Sequence, residues 1–280
     1  MKFNSVNDFL VHVKEELAND RLVLPTLPDI AIKVRNTVDK EGTTAQDLAD
    51  IIVTDAVLSA RIIQVANSPL YKGNAEIKNI QLAVARLGSD TIRSLVTSFV
   101  MQQMYTPTSK ALESHFQTIW EESMNVSAIS RALAGFTPHL NPDEAMLAGL
   151  LHQIGKLPIL VLVENIPEFR DSPARLNKLL EKAHPRIGEI IMDTWNFPDE
   201  LKLVASQYIN FANQSEGPAT YVDLVQVAFL QSIIGTDHPA CRVDCSTVNA
   251  FGKLGLAAET EIMEIQGIPE EIELAKASLF

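Results

Sequence analysis

Apolar residues recur at spacings of three and four along almost the whole chain, and this periodicity most constrains the fold. In the segment TTAQDLADIIVTD, Leu48, Ile51 and Ile52 fall on one helical face. Thr44 can cap that helix, with Asp47 at its third position. No two β-branched runs are joined by an Asn-Gly or Asp-Gly turn, so hairpins have little support. The pattern predicts an all-α protein.

Charge and composition limit the classes of partner. The formal net charge is −12, and so acidic a surface repels phosphate backbones and anionic lipid. We therefore expect no nucleic-acid and no membrane partner. The longest aliphatic run, LPILVLV, is too short to span a bilayer, and MKFNSVNDFL lacks the apolar region of a signal peptide. The expected location is the cytoplasm.

A polar segment, YTPTSK at 105–110, divides the chain. We expect two helical subdomains packed together, at 1–107 and 108–236, and a helical C-terminal extension at 237–280. Within the second half, the periodicity places helices at 172–183, 185–195, 198–211 and 219–235. The two cysteines, Cys241 and Cys245, are too few for a disulfide framework.

Six residues in the N-terminal half are interpreted as architectural. Pro25 and Pro28 fix φ and discourage helix before residue 29, so they set a helix entry. Arg61 stands among apolar residues within a helix. An internal ion pair with Asp55 or Asp90 is the favoured interpretation, and ligand recognition is the alternative.

Two residues of that group are predicted to end helices. Asn67, just before Ser-Pro, can do so through side-chain hydrogen bonds to free backbone groups. Gly88 after Leu87 fits a left-handed helix stop. Both positions would serve the fold rather than a binding site.

Several motifs, in order along the chain, resemble the HDOD family, a bacterial signalling module related to HD-type metal phosphohydrolases. They are LPTLPDIAIKV, TDAVLSARIIQVANSPLY, IQLAVARLGSDTIRSLV, MLAGLLHQIGKLPI and AHPRIGEIIMDTWNFPDEL, within residues 20–235. Ala56 departs from the family pattern, which usually has proline there. The resemblance implies that residues 108–236 form a degenerate HD-like bundle. It also implies signal transduction through protein contacts without catalysis, with signalling proteins that act in trans as partners.

The stretch AGLLHQIGK carries the expected site. An HD-type site pairs its histidine with an acid because hard cations are held by negative oxygen, and here Gln153 follows His152. By the resemblance, Glu122 stands at the first histidine position and His184 at a retained second one. Residues 208–210 lack the later histidines, and the final acid position falls near Phe229.

These four residues, Glu122, His152, Gln153 and His184, are therefore expected to form a vestigial pocket with the two imidazoles close together. We expect no catalytic residue, no catalytic metal and no other cofactor. Two alternatives remain open. One is a divergent phosphohydrolase with a single divalent metal on His152 and His184. The other is a sensor that binds a small ligand in the old pocket.

Overall fold

A computed structural model describes residues 6–18, 24–106, 110, 112–164 and 166–279. Over this part of the chain every regular element is helical and there is no strand, which confirms the all-α prediction. The α-helices are α1 Val6–Ala18, α2 Asp29–Val38, α3 Ala45–Ile52, α4 Ala56–Ala66, α5 Ile80–Leu87, α6 Ser89–Met104, α7 Glu113–Ala134, α8 Pro142–Leu151, α9 Lys156–Val163, α10 Pro167–Arg170, α11 Pro173–Thr194, α12 Asp199–Gln207, α13 Tyr221–Ser232, α14 Asn249–Lys253 and α15 Ile268–Leu279. Short 3₁₀ turns occupy Pro239–Arg242, Cys245–Thr247 and Ile262–Glu264.

The N-terminal helices begin and end at the residues that the sequence indicates. Thr44 and Asp47 form a reciprocal capping box at the start of α3. Asn67 ends α4, and its amide donates to the Ile63 carbonyl (3.1 Å) and to the Ile77 carbonyl (2.8 Å). Gly88 separates α5 from α6 with φ at 83°, a conformation that favours glycine.

The predicted ion pair of Arg61 is wrong. Arg61 Nη2 donates to Gln102 Oε1 at 2.8 Å, and the guanidinium lies 5.1 Å from the Phe99 ring centroid. Asp55 instead caps α4 by accepting from the Leu58 backbone N–H at 2.9 Å. Asp90 pairs with Arg93 at 3.2 Å. The reason is geometric, since Asp90 lies in the first turn of α6 whereas Arg61 reaches its last turn.

The N-terminal and C-terminal helices meet along a polar junction, where α6 packs on α8. Asp143 is the centre of this junction: it accepts hydrogen bonds from the Tyr71 hydroxyl and from Thr91 Oγ1 (2.7 Å). Arg131 Nε lies 3.4 Å from the same carboxylate. Helix α15 of the C-terminal segment packs on α7, where Glu271 pairs with Arg131. The boundary predicted at 107–108 falls outside the described residues.

The second half contains one long helix where two were predicted. Helix α11 runs through Pro185 without a break, although proline removes one backbone donor from the ladder. Buried side chains on both sides of Pro185, such as Leu180 and Ile187, hold the two halves on the same core. Residues 142–163 have the length and composition of a membrane span, but 83% of the tested 18-residue stretch within them is buried inside the protein. Residues 142–163 form part of the buried core of the protein.

Candidate functional site

Two glycines bring the backbone segments of the site unusually close together. A Cβ at Gly149 would lie 2.6 Å from the Ser127 Cα, so α8 and α7 are in direct backbone contact. A Cβ at Gly155 would lie 2.1 Å from the His184 carbonyl oxygen and 2.5 Å from the Gly188 nitrogen. The turn at 152–155 is therefore pressed against α11, and this contact places His152 beside the His184 segment.

His152 is fully buried and both of its ring nitrogens have partners. Nδ1 lies 2.6 Å from the Gly149 carbonyl oxygen. Because a carbonyl can only accept, Nδ1 carries the proton and Nε2 is the acceptor. The Gln153 amide nitrogen lies 3.0 Å from that Nε2 and 3.0 Å from Glu122 Oε2, and it donates to both. The Gln153 Oε1 atom is buried and has no partner among the described protein atoms.

His184 repeats the arrangement on α11. Its Nδ1 lies 2.7 Å from the Leu180 carbonyl oxygen, and its Nε2 lies 2.9 Å from the Tyr208 hydroxyl, which donates to it. The Tyr208 ring also contacts His152 edge-on, with ring centroids 4.7 Å apart. All four residues of the expected pocket thus lie in one cluster, joined through Tyr208. The sequence indicates only that position 208 lacks a histidine, and it does not predict the Tyr208 hydroxyl as a donor to His184.

The cluster is electrically neutral at its centre. Burial lowers the pKa of His152 to about 3, and burial is also the main reason that the pKa of His184 lies well below its usual value. Burial raises the pKa of Tyr208 well above its usual value, so the hydroxyl keeps its proton. Near neutral pH, two neutral imidazoles accept hydrogen bonds from a neutral amide and a neutral phenol.

The HD relationship implies a divalent metal, and the residues present do not fit one. The two Nε2 atoms that would face a metal already accept bonds from Gln153 and Tyr208. Glu122 is the anion of the cluster, and its side chain is 39% exposed. Within the described ranges, no group of three or more His, Cys, Asp or Glu side chains could hold a metal ion. An HD-type pair of cations would need bridging carboxylates, and Gln153 supplies none.

An open cavity of about 480 Å³ adjoins the cluster. Its charged and titratable lining residues are His115, Glu122, Lys156, Glu181, Asp237 and His238. Lys156 Nζ lies 3.9 Å from Glu122 Oε2, and burial lowers its pKa. The six architectural residues Pro25, Pro28, Asp55, Arg61, Asn67 and Gly88 are not among those that line the cavity.

The chain is similar to several known proteins. A crystal structure from Shewanella amazonensis SB2B, named as a proposed metal-dependent phosphohydrolase, matches with a TM-score of 0.86 at 29% identity over 99% of this chain and 100% of that one. An HDOD domain protein of unknown function from Geobacter sulfurreducens matches with a TM-score of 0.65 at 21% identity over 99% of each chain.

Sequence comparison agrees with this fold. An uncharacterized protein of Treponema pallidum (strain Nichols) is 21% identical over 63% of this chain, which spans only 36% of that relative. The family model of the HDOD domain matches residues 24–210, and this span includes the whole histidine cluster. The chain belongs to the HDOD family.

Proposed function

We propose that this protein is a non-catalytic HDOD regulator that acts in signalling through contacts with other proteins. The observation that supports the absence of catalysis is the occupation of both histidine Nε2 atoms by protein donors, Gln153 and Tyr208. A metal would have to displace both hydrogen bonds, and it would gain only the half-exposed Glu122 carboxylate as an anionic ligand. Buried donors without acceptors would be left behind, which is costly.

The catalytic half of this proposal is tested by metal content and phosphodiesterase activity. We expect the purified full chain to hold far less than one equivalent of divalent metal and to leave bis(p-nitrophenyl) phosphate intact in the presence of Mn²⁺. Gln153→Asp alone should not create activity, because Tyr208 still occupies His184. One equivalent of metal together with activity that disappears in His152→Ala would overturn the proposal.

Two features of the surface support the proposal that the protein acts through contacts with other proteins. The net charge of −12 suits a partner with a basic face. Val53 and Val57, at the turn between α3 and α4, are 60% and 73% exposed and offer apolar area for a contact. Cross-linking of the full chain in its host cell should recover a protein partner that is lost in Val57→Asp. Val161→Asp, at a valine 46% exposed on α9, is the matched control. Equal recovery from all three proteins would contradict this surface.

A second candidate function is small-ligand sensing, and the cavity of about 480 Å³ favours it. Drug-sized ligands occupy cavities of about 300–1,000 Å³, so the size is adequate. Lys156 beside Glu122 and Glu181 would recognise a ligand that carries both acidic and basic groups. A thermal-shift screen of nucleotides and amino acids against the wild type and Lys156→Met tests it. A shift common to both proteins would place the ligand elsewhere.

A further inference from the structure

A second cavity lies at the junction of the two halves, away from the histidine cluster. It has a volume of about 60 Å³ and is bounded by α2, α6, α8 and the segment 196–201. Its charged and hydroxyl-bearing lining residues are Arg35, Asp39, Arg93, Ser94, Thr97 and Glu144. Neither the family motifs nor the proposed function assigns a role to this cavity.

Arg35 is a buried cation that forms no ion pair with a carboxylate in the described ranges. The residue is only 8% exposed. Its Nη2 donates to the Asn196 carbonyl at 2.8 Å, and its guanidinium carbon lies 3.8 Å from the Phe197 ring centroid. Its Nη1 is buried and has no hydrogen-bond partner among the described residues.

The nearby acid is engaged elsewhere. Asp39 is the carboxylate whose charge acts on Arg35, but it forms its ion pair with Arg93 at 3.5 Å and is 64% exposed. Glu144, also in the cavity lining, binds Arg93 at 2.7 Å and accepts from the Tyr221 hydroxyl at 2.7 Å. The aromatic face of Phe197 attracts the Arg35 cation, yet it cannot accept the N–H bonds of Nη1.

Ser94 supplies a second, independent signal. The residue is 1% exposed, and its Oγ is buried without a partner in the described part of the chain. Buried polar groups are nearly always hydrogen-bonded, so each exception requires an explanation. Two such donors, one of them cationic, line the same small cavity, and an acceptor with negative charge would satisfy both.

We propose that this cavity binds one small monovalent anion, chloride or a carboxylate as small as formate, between Arg35 Nη1 and Ser94 Oγ. The volume excludes anything much larger. The carboxylates of Asp39 and Glu144 in the lining disfavour a divalent anion such as phosphate. Water could fill the space but would leave the Arg35 charge uncompensated. Arg35 belongs to α2 and Ser94 to α6, so the anion joins two N-terminal helices, and it holds in place the Arg35 side chain that contacts Asn196 and Phe197 of the second half.

Thermal unfolding of the full chain tests the site. Sodium chloride or sodium formate is titrated against sodium gluconate, a bulky anion, at constant ionic strength so that general screening stays equal. We expect chloride and formate to raise the Tm saturably, by about 3 °C near saturation. Arg61→Met is the matched control, because the Arg61 guanidinium also donates to an amide oxygen and lies against an aromatic ring, but it is outside the cavity. It should keep the anion effect, whereas Arg35→Met should lose it.

A direct measurement covers the case in which Arg35→Met does not fold. Ser94→Ala removes a single buried hydroxyl and should lower the affinity for chloride several-fold while the protein remains folded. Crystals grown with sodium bromide should show an anomalous peak within hydrogen-bond distance of Arg35 Nη1 and Ser94 Oγ. No saturable difference between chloride and gluconate in the wild type, or no anomalous peak in the cavity, would overturn the proposal.

Discussion

The histidine cluster and the junction between the two halves are both buried and polar, but they satisfy their polar groups in different ways. In the cluster, neutral imidazoles accept bonds from the neutral side chains of Gln153 and Tyr208. At the junction, charged groups face each other: Arg131 lies against Asp143, and Arg93 against Glu144. Neutral hydrogen bonds hold the cluster together and charges hold the junction together, and in the described part of the chain each region leaves a buried polar atom without a partner, Gln153 Oε1 and Arg35 Nη1.

This difference predicts different sensitivities. The neutral hydrogen bonds of the cluster require close packing, so small changes in side-chain volume should destabilise it. Because its imidazoles are buried and neutral, the cluster should also be sensitive to acid. Ion pairs that lose one partner leave an uncompensated charge, so the junction should respond most to the removal of a charge. The following changes probe the two regions in turn.

The largest effect is expected from Gly155→Ala in the cluster. The added methyl would lie 2.1 Å from the His184 carbonyl oxygen and 2.5 Å from the Gly188 nitrogen, and backbone atoms cannot rotate away. We expect the free energy of unfolding to fall by more than about 3 kcal/mol, or folding to fail. Gly252→Ala in α14 is the control, because no atom beyond its chain neighbours and the nearby backbone of its own helix lies within 4 Å of its Cβ position. Equal stability of both variants in urea unfolding would show that the turn and α11 are not in close contact.

At the junction, Asp143→Asn should cost about 3 kcal/mol, because in the described part of the chain it leaves the more exposed Glu271 as the one carboxylate paired with the buried Arg131. This substitution removes the negative charge of the side chain and keeps its shape. Asp39→Asn is the matched control: Asp39 pairs with Arg93 at 3.5 Å but is 64% exposed, so its loss should cost less than about 0.5 kcal/mol. Denaturant unfolding measures both. A comparable loss in the two variants would mean that burial does not distinguish these ion pairs.

The sequence predicts the helices better than it predicts these contacts. Caps such as the Thr44–Asp47 box depend on residues three positions apart, so a local pattern reveals them. The interactions of Arg61 with Gln102 and of Arg35 with Phe197 join residues far apart in sequence, and periodicity says nothing about which helix lies opposite. The predicted boundary between helices at 172–183 and 185–195 is wrong, because buried side chains on both sides of Pro185 hold one continuous helix against the core.

The candidate site was predictable in part for the same reason. The motif AGLLHQIGK and the family resemblance indicated Glu122, His152, Gln153 and His184. They did not indicate which side chains donate to the two histidines. From the sequence, position 208 shows only that no histidine stands there. The role of Tyr208 depends on the 2.9 Å bond from its hydroxyl, just after α12, to His184 Nε2 on α11.

Acid should destabilise the protein through the cluster. The folded-state pKa of His152 is about 3, below the unfolded value of about 6.5. Above the unfolded pKa both states are neutral and stability is full. As the pH falls below the unfolded-state pKa, the unfolded state binds protons that the folded state does not bind. The loss is about 1.4 kcal/mol per pH unit for each histidine that behaves this way.

The direction is the same for His184, whose pKa also lies well below its usual value because it is buried. Unfolding free energies measured between pH 6 and pH 5 should therefore fall more steeply than His152 alone would cause. His184→Gln should reduce the slope. A slope that does not change in this variant would mean that His184 titrates normally in the folded protein.

The smallest effect concerns the Tyr208 hydroxyl. Tyr208→Phe keeps the ring, with its edge-on contact to His152, and removes only the donor to His184 Nε2. The imidazole would keep its Nδ1 bond to Leu180 and lose its other partner in a buried site. An unsatisfied buried acceptor costs about 1–3 kcal/mol, and we expect the lower half of that range because a neutral nitrogen is involved.

Tyr105→Phe is the control. Tyr105 is also buried, and its hydroxyl makes a longer 3.3 Å bond to the Leu150 carbonyl, so its loss should cost less than about 1 kcal/mol. If Tyr208→Phe proves no more costly than Tyr105→Phe, the tyrosine serves the cluster by packing alone. The Nε2 of His184 would then be free for another ligand, and the contrast between the neutral hydrogen bonds of the cluster and the ion pairs of the junction would lose its main support.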